Sequence, residues 1–180
     1  LNELMQKKIL GSKNAPIKIK EFFSLTCGHC SNFHSKTLPQ LKKKYIDTGK
    51  VQLEFIDYPL DKLAVIAATL ARSIPTKDGY VEAVRILLKK QKQWAYSKNP
   101  LNELETIAKL FGISSKKFNK ISQNIPLMQE IVTKMEKESK NFDINSTPTF
   151  IVNDKYKISG ALSFKEFEKE LLKSINAKKS

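Results

Sequence analysis

Alternating apolar and polar side chains predict two β-strands in the first third of the chain, at residues 17–23 and 51–55. Between them the apolar positions recur at helical spacing from Gly28 to about Lys44. Pro39 is expected to kink this helix because proline lacks a backbone N–H. A strand, a helix and a second strand joined by a crossover of this length form a βαβ unit. We therefore expect the two strands to lie parallel in one sheet.

Helical periodicity then dominates residues 60–142. The clearest apolar stripe consists of Leu63, Ile66, Ala67, Leu70 and Ile74. Such spacing is typical of a helix that packs one face on a core. Strand patterns return on either side of Asn153 and Asp154, a two-residue hairpin turn, and a capping pattern at Ser163 begins a last amphipathic helix. The chain order is therefore a βαβ unit, a block of helices and a ββα unit.

This order divides the chain into three parts. Residues 11–60 and 143–180 are expected to form one α/β domain around a central mixed sheet, and residues 61–142 an all-helical insertion. Residues 1–10 form an N-terminal arm whose apolar positions are compatible with a short amphipathic helix, packed on its own domain or on a second subunit. With 180 residues the chain is long enough to bury a hydrophobic core without structural disulfides or a bound metal.

Both cysteines of the chain lie in one turn, Cys27-Gly28-His29-Cys30, which follows the first strand and begins the helix. Two thiols separated by two residues can close a small disulfide ring. Unpaired N–H groups and the positive end of the helix dipole favour a thiolate at the first of them, and His29 would favour it further when charged. We therefore expect thiol–disulfide chemistry, with Cys27 as the exposed nucleophile, Cys30 as the resolving thiol, and no cofactor beyond their redox-active disulfide.

A structural zinc site is the main alternative for this turn. Such a site needs four ligands, and only His29 and His34 are available as further soft ligands, both close in sequence to the same two cysteines. A site of two cysteines and one histidine is conceivable at this spacing, but we expect no metal.

Glu21 lies on the apolar face of the first strand by strict alternation, six residues before Cys27. A carboxylate buried there without a cation would have a raised pKa and would be a proton acceptor for the less exposed thiol, Cys30. The alternative is a bulge or a sheet edge that turns Glu21 into solvent.

Pro148 directly precedes the third predicted strand, within residues 145–150. A proline is tolerated at the first residue of a strand, and it allows a cis peptide bond, although a trans turn is the commoner arrangement. If both halves of the chain share one sheet, Pro148 comes close to Cys27.

The chain carries a formal net charge of +14, and of its 32 basic residues only Arg72 and Arg85 are arginines. Nucleic-acid-binding proteins normally show arginine in a localised patch, whereas lysine is spread here over nearly every segment. The pattern argues against a nucleic-acid partner and is typical of lysine-rich, solvated helix faces. The longest uncharged apolar run, residues 63–71, is far too short to cross a membrane.

This order of elements, with Cys-x-x-Cys at the first helix and a proline before the third strand, resembles the thioredoxin fold. The inserted helical block resembles the DsbA-like branch of that fold, the DsbA/BdbD-type thiol:disulfide oxidoreductases. Further matching motifs are Gly11, Ala15-Pro16, Glu21-Phe22-Phe23-Ser24, Leu38-Pro39-Gln40-Leu41, Asp57-Tyr58-Pro59-Leu60, Thr147-Pro148-Thr149-Phe150 and Ser159-Gly160. Together they extend, in order, over residues 11–176.

The resemblance implies roles by position. Cys27 would form the mixed disulfide with a client protein, and Cys30 would resolve it. Thr147 and Pro148 match the loop in which the family places a cis-proline facing the active site, and the Thr147 backbone would pair with an extended client segment. Glu21 matches the family's buried acid near the cysteines.

The resemblance also implies a compartment and partners. Family members act outside the cytoplasm, where disulfides persist. We therefore expect a periplasmic protein whose clients are folding exported proteins with free thiols, and whose disulfide is restored by a DsbB-type, quinone-linked membrane oxidase. The sequence begins at Leu1 with no signal peptide, which we interpret as the removal of an export signal or of a membrane tether.

The dipeptide between the cysteines departs from the enterobacterial DsbA proteins, which carry Cys-Pro-His-Cys. Gly28 and His29 are instead the dipeptide of eukaryotic protein disulfide isomerase, and Thr147 rather than valine before the proline also occurs in isomerase relatives. An isomerase or reductase on the same fold is therefore an alternative, as is a metal-binding or chaperone module. Isomerases normally need two or more active sites in one assembly; the oligomeric state is left open, with a monomer favoured.

Overall fold

The structure is a computed structural model that describes residues 1–179. Its strands are β1 (Lys8–Leu10), β2 (Ile17–Phe23), β3 (Val51–Asp57), β4 (Thr149–Val152) and β5 (Tyr156–Ser159). Its helices are α1 (Gly28–Lys36), α2 (Leu38–Leu41), α3 (Lys62–Arg72), α4 (Gly79–Lys89), α5 (Gln91–Ala95), α6 (Pro100–Lys109), α7 (Ser115–Ile121), α8 (Ile125–Phe142) and α9 (Phe164–Lys179). A π-helical turn, Lys42–Ile46, follows α2.

The strands within this described range form one mixed sheet in the order β1-β3-β2-β4-β5. Strands β2 and β3 run parallel, and the other neighbouring pairs run antiparallel. All residues of β3 are buried, as expected for a strand that is covered on both faces. This is the arrangement of a βαβ unit and a ββα unit around a mixed sheet that the sequence predicts.

The predicted long first helix is broken, rather than only kinked, at Thr37. Helix α1 ends at Lys36, and Pro39 lies in the first turn of α2, where its missing N–H removes no intrahelical hydrogen bond. The Thr37 hydroxyl donates a 2.6 Å hydrogen bond to the carbonyl of Leu162, which ties the break to the segment before α9. The cysteines therefore lie at the start of a short, separate helix.

Helices α3 to α8 lie between β3 and β4 in the chain, in the block of helices that the sequence predicts. The Asp61 carboxylate caps the first of them by accepting a 2.8 Å hydrogen bond from the backbone N–H of Ala64. The apolar core continues from the sheet into the helices, since Phe55, Leu70 and Leu104 belong to one buried cluster. No helix within residues 1–179 has both the length and the apolar character needed to cross a membrane.

The short amphipathic helix considered for residues 1–10 does not form. Lys8–Leu10 forms β1, which pairs antiparallel with β3, and turns precede it. Without β1, strand β3 would present an unpaired edge. In addition, the Arg72 guanidinium donates hydrogen bonds to the carbonyls of Leu4 and Gln6 at 3.0 and 3.2 Å, which fixes the residues before β1. The arm therefore packs on its own chain.

Arg72 is almost completely buried, with 1% of its surface exposed. Its Nε donates a 2.8 Å hydrogen bond to one carboxylate oxygen of Asp57, and the Tyr80 hydroxyl donates a 2.9 Å bond to the other. Burial by itself lowers the pKa of Arg72, but the Asp57 carboxylate holds that pKa above its ordinary value. Buried charges persist only when they are paired, so Asp57 and Arg72 depend on each other.

Candidate active site

The cysteine turn joins the end of β2 to the start of α1. Cys27 has an extended backbone (φ −83°, ψ 119°) and is the N-cap of α1, where its Sγ accepts a 3.4 Å hydrogen bond from the backbone N–H of Cys30. The preceding Thr26 hydroxyl donates a 3.0 Å bond to Asp61, at the start of α3. The Cys27 sulfur is therefore held where the unpaired N–H groups of a helix converge.

The two cysteines differ in accessibility. Cys27 has 7% of its surface exposed and Cys30 has none, and both are free thiols. Cys27 is thus the more accessible thiol, but it is much less exposed than the sequence predicts, because the loop before β4 covers it.

That loop brings the second predicted segment to the same sulfur. Antiparallel pairing of β4 with β2 carries Thr147 to Cys27, and the Thr147 carbonyl oxygen lies 3.6 Å from Cys27 Sγ. The peptide bond between Thr147 and Pro148 is cis. The Pro148 carbonyl accepts a 2.9 Å hydrogen bond from the backbone N–H of Gly160. Two segments that are far apart in sequence therefore meet in one site.

The two thiols have opposite acidities. Hydrogen bonding from the Cys30 thiol is the largest cause that lowers the pKa of Cys27. The Thr147 hydroxyl and the backbone N–H groups of Cys30 and His29 lower it further, and burial opposes them only in part, so the pKa falls from 9.0 to about 5. Burial is the largest cause that raises the pKa of Cys30, and the Cys27 and Glu21 charges act in the same direction. At neutral pH Cys27 is a thiolate and Cys30 a thiol.

The acidity of Cys27 predicts a pH-dependent stability of the reduced protein. A thiol whose pKa falls from 9.0 to about 5 on folding stabilises the fold fully above pH 9, and this contribution is lost as the pH falls toward 5. Relative to Cys27→Ser, we expect the free energy of unfolding to decrease by roughly 1.4 kcal/mol per pH unit across this window. Denaturant unfolding at several pH values measures it. Parallel profiles for the two proteins would contradict a thiolate at neutral pH.

Thr147→Val removes the hydroxyl that helps to lower the pKa of Cys27. A hydrogen bond to a charged group is worth about 1.5–3 kcal/mol, so we expect the pKa of Cys27 to rise by one to two units. Ultraviolet absorbance of the thiolate against pH measures the change. Thr149→Val is the control, because its hydroxyl donates a 2.7 Å bond to the Ser146 carbonyl. If the pKa of Cys27 is unchanged in Thr147→Val, groups other than the Thr147 hydroxyl lower it.

Glu21 is buried, with 0% of its surface exposed, so the solvent-facing bulge or edge considered for it is wrong. It lies in register between Phe55 of β3 and Phe150 of β4. Its two carboxylate oxygens lie 3.0 and 2.8 Å from Nε2 of His34. From the sequence, His34 is a candidate only as a zinc ligand. Its position four residues after Cys30, one helical turn along α1, is the signal that could have placed it on the same face of the helix as Cys30.

His29 and Gly28 occupy the exposed first turn of α1. His29 acts on Cys27 through its backbone N–H, and the effect of its side-chain charge stays a prediction. A Cβ added at Gly28 would lie 3.7 Å from the Tyr96 hydroxyl, an ordinary contact, so a larger residue fits here. Across residues 1–179, no group of three or more His, Cys, Asp and Glu side chains is arranged to hold a metal ion.

Gln91 is a residue of the site for which the sequence gives no signal. Its side chain is buried, and its Nε2 donates hydrogen bonds to the carbonyls of Leu25 and Cys27 at 2.8 and 2.9 Å. The Ser31 hydroxyl of α1 donates a further 2.8 Å bond to the carbonyl of Leu88. The junction of α4 and α5 therefore holds the cysteine turn from the side of the helical block.

Sequence comparison places these features among known proteins. A thioredoxin family model matches residues 4–173. One relative comes from Rickettsia typhi, and its name assigns it provisionally to the protein-disulfide oxidoreductases. The two sequences are 32% identical over 145 residues, and the match covers 81% of this chain and 54% of the relative. Disulfide bond formation protein D of Bacillus subtilis is 27% identical over 182 residues, which are 94% of this chain and 78% of that protein. The chain spans about half the length of the rickettsial relatives that it matches.

Solved structures show the same likeness over nearly the whole chain. The crystal structure of α-DsbA1 from Wolbachia pipientis has a TM-score of 0.84 and 31% identity, and the match covers 94% of this chain and 90% of that chain. Oxidised BdbD from Bacillus subtilis has a TM-score of 0.74 and 25% identity, with 94% and 93% of the two chains covered. The likeness confirms the predicted thioredoxin fold with a helical insertion.

Proposed function

Because this chain belongs to the DsbA-type branch of the thioredoxin family, we propose that it is a thiol:disulfide oxidoreductase that introduces disulfide bonds into exported proteins. The observation that supports this most strongly is the contrast between an acidic Cys27 and a Cys30 whose pKa is raised. A stable Cys27 thiolate favours the reduced form of the pair. The disulfide between Cys27 and Cys30 is therefore an oxidant.

The exchange takes place in two steps at Cys27. A client thiolate attacks Cys27 Sγ, the bond between Cys27 and Cys30 breaks, and its electron pair goes to Cys30 Sγ, which takes up a proton. A second client thiolate then attacks the client sulfur of the mixed disulfide, and Cys27 leaves as a thiolate. The client loses two electrons and the cysteine pair gains them. The Thr147 backbone, next to the Pro148 turn, pairs with the extended client segment during both steps.

The clients and partners belong to the same proposal. Clients are folding exported proteins with free thiols, in a periplasm or an equivalent oxidising compartment where disulfides persist. A DsbB-type, quinone-linked membrane oxidase restores the disulfide between Cys27 and Cys30. The name of the Bacillus subtilis relative, disulfide bond formation protein D, supports this role. No cofactor beyond the disulfide itself enters the two exchange steps.

Oxidation of a reduced, unfolded client with several cysteines tests the proposal. The protein in its disulfide form is mixed with the client in equal amounts, and free thiols on both are followed by alkylation and mass spectrometry. We expect one client disulfide for each cysteine pair that becomes reduced. Client thiols that stay free while the disulfide of Cys27 and Cys30 persists would overturn the proposal.

Disulfide isomerisation is the second candidate, because Gly28 and His29 form the dipeptide of eukaryotic protein disulfide isomerase and Thr147 precedes the proline. An isomerase works in the reduced form on incorrect disulfides and normally presents two active sites in one assembly. Refolding of a client with scrambled disulfides, together with the molar mass in solution, separates the two functions. A monomer that does not correct the scrambled disulfides would exclude an isomerase function. An oligomer that corrects them would favour that function.

A further inference from the structure

His34 and Glu21 form a buried polar pair on the inner side of the redox site. Their side chains are 6% and 0% exposed, and Nε2 of His34 lies 2.8 and 3.0 Å from the two carboxylate oxygens. A nitrogen lone pair that faced a carboxylate would be repelled, so Nε2 carries a hydrogen and donates it. One proton is therefore held between the two side chains.

The other ring nitrogen of His34 has access to solvent. Every buried side-chain nitrogen or oxygen in the described part of the chain has a hydrogen-bond partner, and both hydrogen bonds of His34 use Nε2. Nδ1 is therefore not buried. His34 lines two open cavities with volumes of ≈ 280 and ≈ 250 Å³. The imidazole ring thus connects the buried carboxylate with the surface.

The surroundings of the ring differ on its two sides. The charged groups that line the cavities with His34 are Lys42, Glu82, Arg85 and Lys89. The aromatic rings around it, at centroid distances of 5.9 to 6.0 Å, are Phe23, Phe33 and Phe55. On the inner side His34 faces Glu21, whose charge also acts on the Tyr80 hydroxyl of α4 and on Cys30. Protons can therefore enter from the cavity side, whereas the inner side is largely apolar.

Cys30 needs a proton during exchange, and it has no exposed surface through which to obtain one. When a client thiolate attacks Cys27, Cys30 leaves with the electron pair of the broken bond. Burial raises the pKa of Cys30, and the Glu21 charge adds to that effect, so the leaving thiolate takes up a proton readily. A Cys30 that stayed unprotonated would attack Cys27 again and expel the client.

We propose that His34 relays protons between solvent and Glu21, and that Glu21 passes them to Cys30 during disulfide exchange. Nδ1 of His34 first takes up a proton from a buffer acid, and Nε2 passes its own proton to the Glu21 carboxylate. As the electron pair reaches Cys30 Sγ, the protonated Glu21 gives that sulfur the proton and becomes a carboxylate again. His34 acts through Glu21 and is therefore a positioning residue. The inference rests on the proposed function and specifies the proton path of the same reaction.

Removal of the ring and its replacement from solution test the relay. In His34→Ala the vacated space opens to the cavities, so imidazole can enter. The rate at which glutathione attacks the disulfide of Cys27 and Cys30 is measured in single turnovers at several pH values. Ser35→Ala is the control, because Ser35 lines one of the cavities and its hydroxyl bonds to the Asn32 carbonyl.

We expect His34→Ala to slow the exchange by about 10²-fold, the lower end of what general acid–base catalysis contributes. Ser35→Ala should exchange at the wild-type rate. Added imidazole should restore the rate of His34→Ala in proportion to the concentration of its protonated form. A ring that only fills space would be replaced equally well by neutral imidazole, so a rescue that follows total imidazole would overturn the relay.

His34→Gln keeps the inference testable if alanine destabilises the fold. Its amide still donates a hydrogen bond to Glu21, but it cannot take up and release a proton. We expect this variant to fold, to keep the thiolate titration of Cys27, and to exchange as slowly as His34→Ala. A wild-type rate in His34→Gln would overturn the relay and leave the proposed function in place. A wild-type protein that does not exchange with glutathione would instead overturn the proposed function.

Discussion

Cys27→Ser is expected to abolish disulfide exchange completely, because a serine hydroxyl neither ionises at neutral pH nor forms a disulfide. Cys30→Ser keeps the nucleophile and loses the resolving thiol, so we expect it to accumulate a mixed disulfide between Cys27 and the client. Each variant is incubated with a client that carries a disulfide, and covalent adducts are measured by non-reducing electrophoresis and mass spectrometry.

The contrast between these two variants tests the assigned roles. Cys27 has 7% of its surface exposed and a pKa of about 5, whereas Cys30 is fully buried. The adduct should therefore form in Cys30→Ser and be absent from Cys27→Ser. An adduct that forms through Cys30 in Cys27→Ser would contradict the assignment of Cys27 as the nucleophile.

Arg72→Met is expected to reduce the free energy of unfolding by about 3–5 kcal/mol, the cost of removing one partner of a buried ion pair. Asp57 is 6% exposed and would be left buried without the Nε hydrogen bond of Arg72. The N-terminal arm would also lose the guanidinium that binds the carbonyls of Leu4 and Gln6. Denaturant unfolding of the oxidised protein at neutral pH measures the loss.

Arg85→Met is the matched control, because it makes the same replacement at the other arginine of the chain. The ion pair of Arg85 with Glu82 is about half exposed on both sides, so its removal should cost less than about 1 kcal/mol. A double variant, Asp57→Asn with Arg72→Met, removes both buried charges and should recover part of the lost stability. Equal losses in Arg72→Met and Arg85→Met would contradict the account of the buried pair.

The centre of the site can be predicted from the sequence because its signals are local. Cys27 and Cys30 lie two residues apart where a strand pattern changes to a helix pattern, and a helix N-terminus favours a thiolate in any fold. Strand alternation in the same way predicts that Glu21 faces the interior, and Glu21 is buried. Each of these inferences needs only the geometry of one element.

The partners of these residues cannot be predicted, because they depend on how distant elements pack. A histidine at the position of His34 fits a solvated helix face as well as a buried pair with Glu21. Gln91 likewise fits a surface position, and only the docking of α5 brings its amide to the carbonyl of Cys27. Asp57 and Arg72 come from a strand and the helix that follows it, and their contact depends on the angle between them.

The N-terminal arm shows the limit of periodicity. Strand β1 has three residues, too few for an alternating pattern to be distinguished from a helical one. Its conformation is set by the free edge of β3 and by Arg72, both of which lie far along the chain. The sequence pattern of residues 1–10 is therefore also compatible with a helix, which the tertiary contacts do not allow.

The reduction potential of the pair of Cys27 and Cys30, measured by equilibration against glutathione, tests the central claim most directly. A Cys27 thiolate with a pKa of about 5 stabilises the reduced form. We therefore predict a potential between about −180 and −120 mV, the range between protein disulfide isomerase and DsbA. A potential near about −270 mV, that of thioredoxin, would contradict a disulfide donor and indicate a reductant.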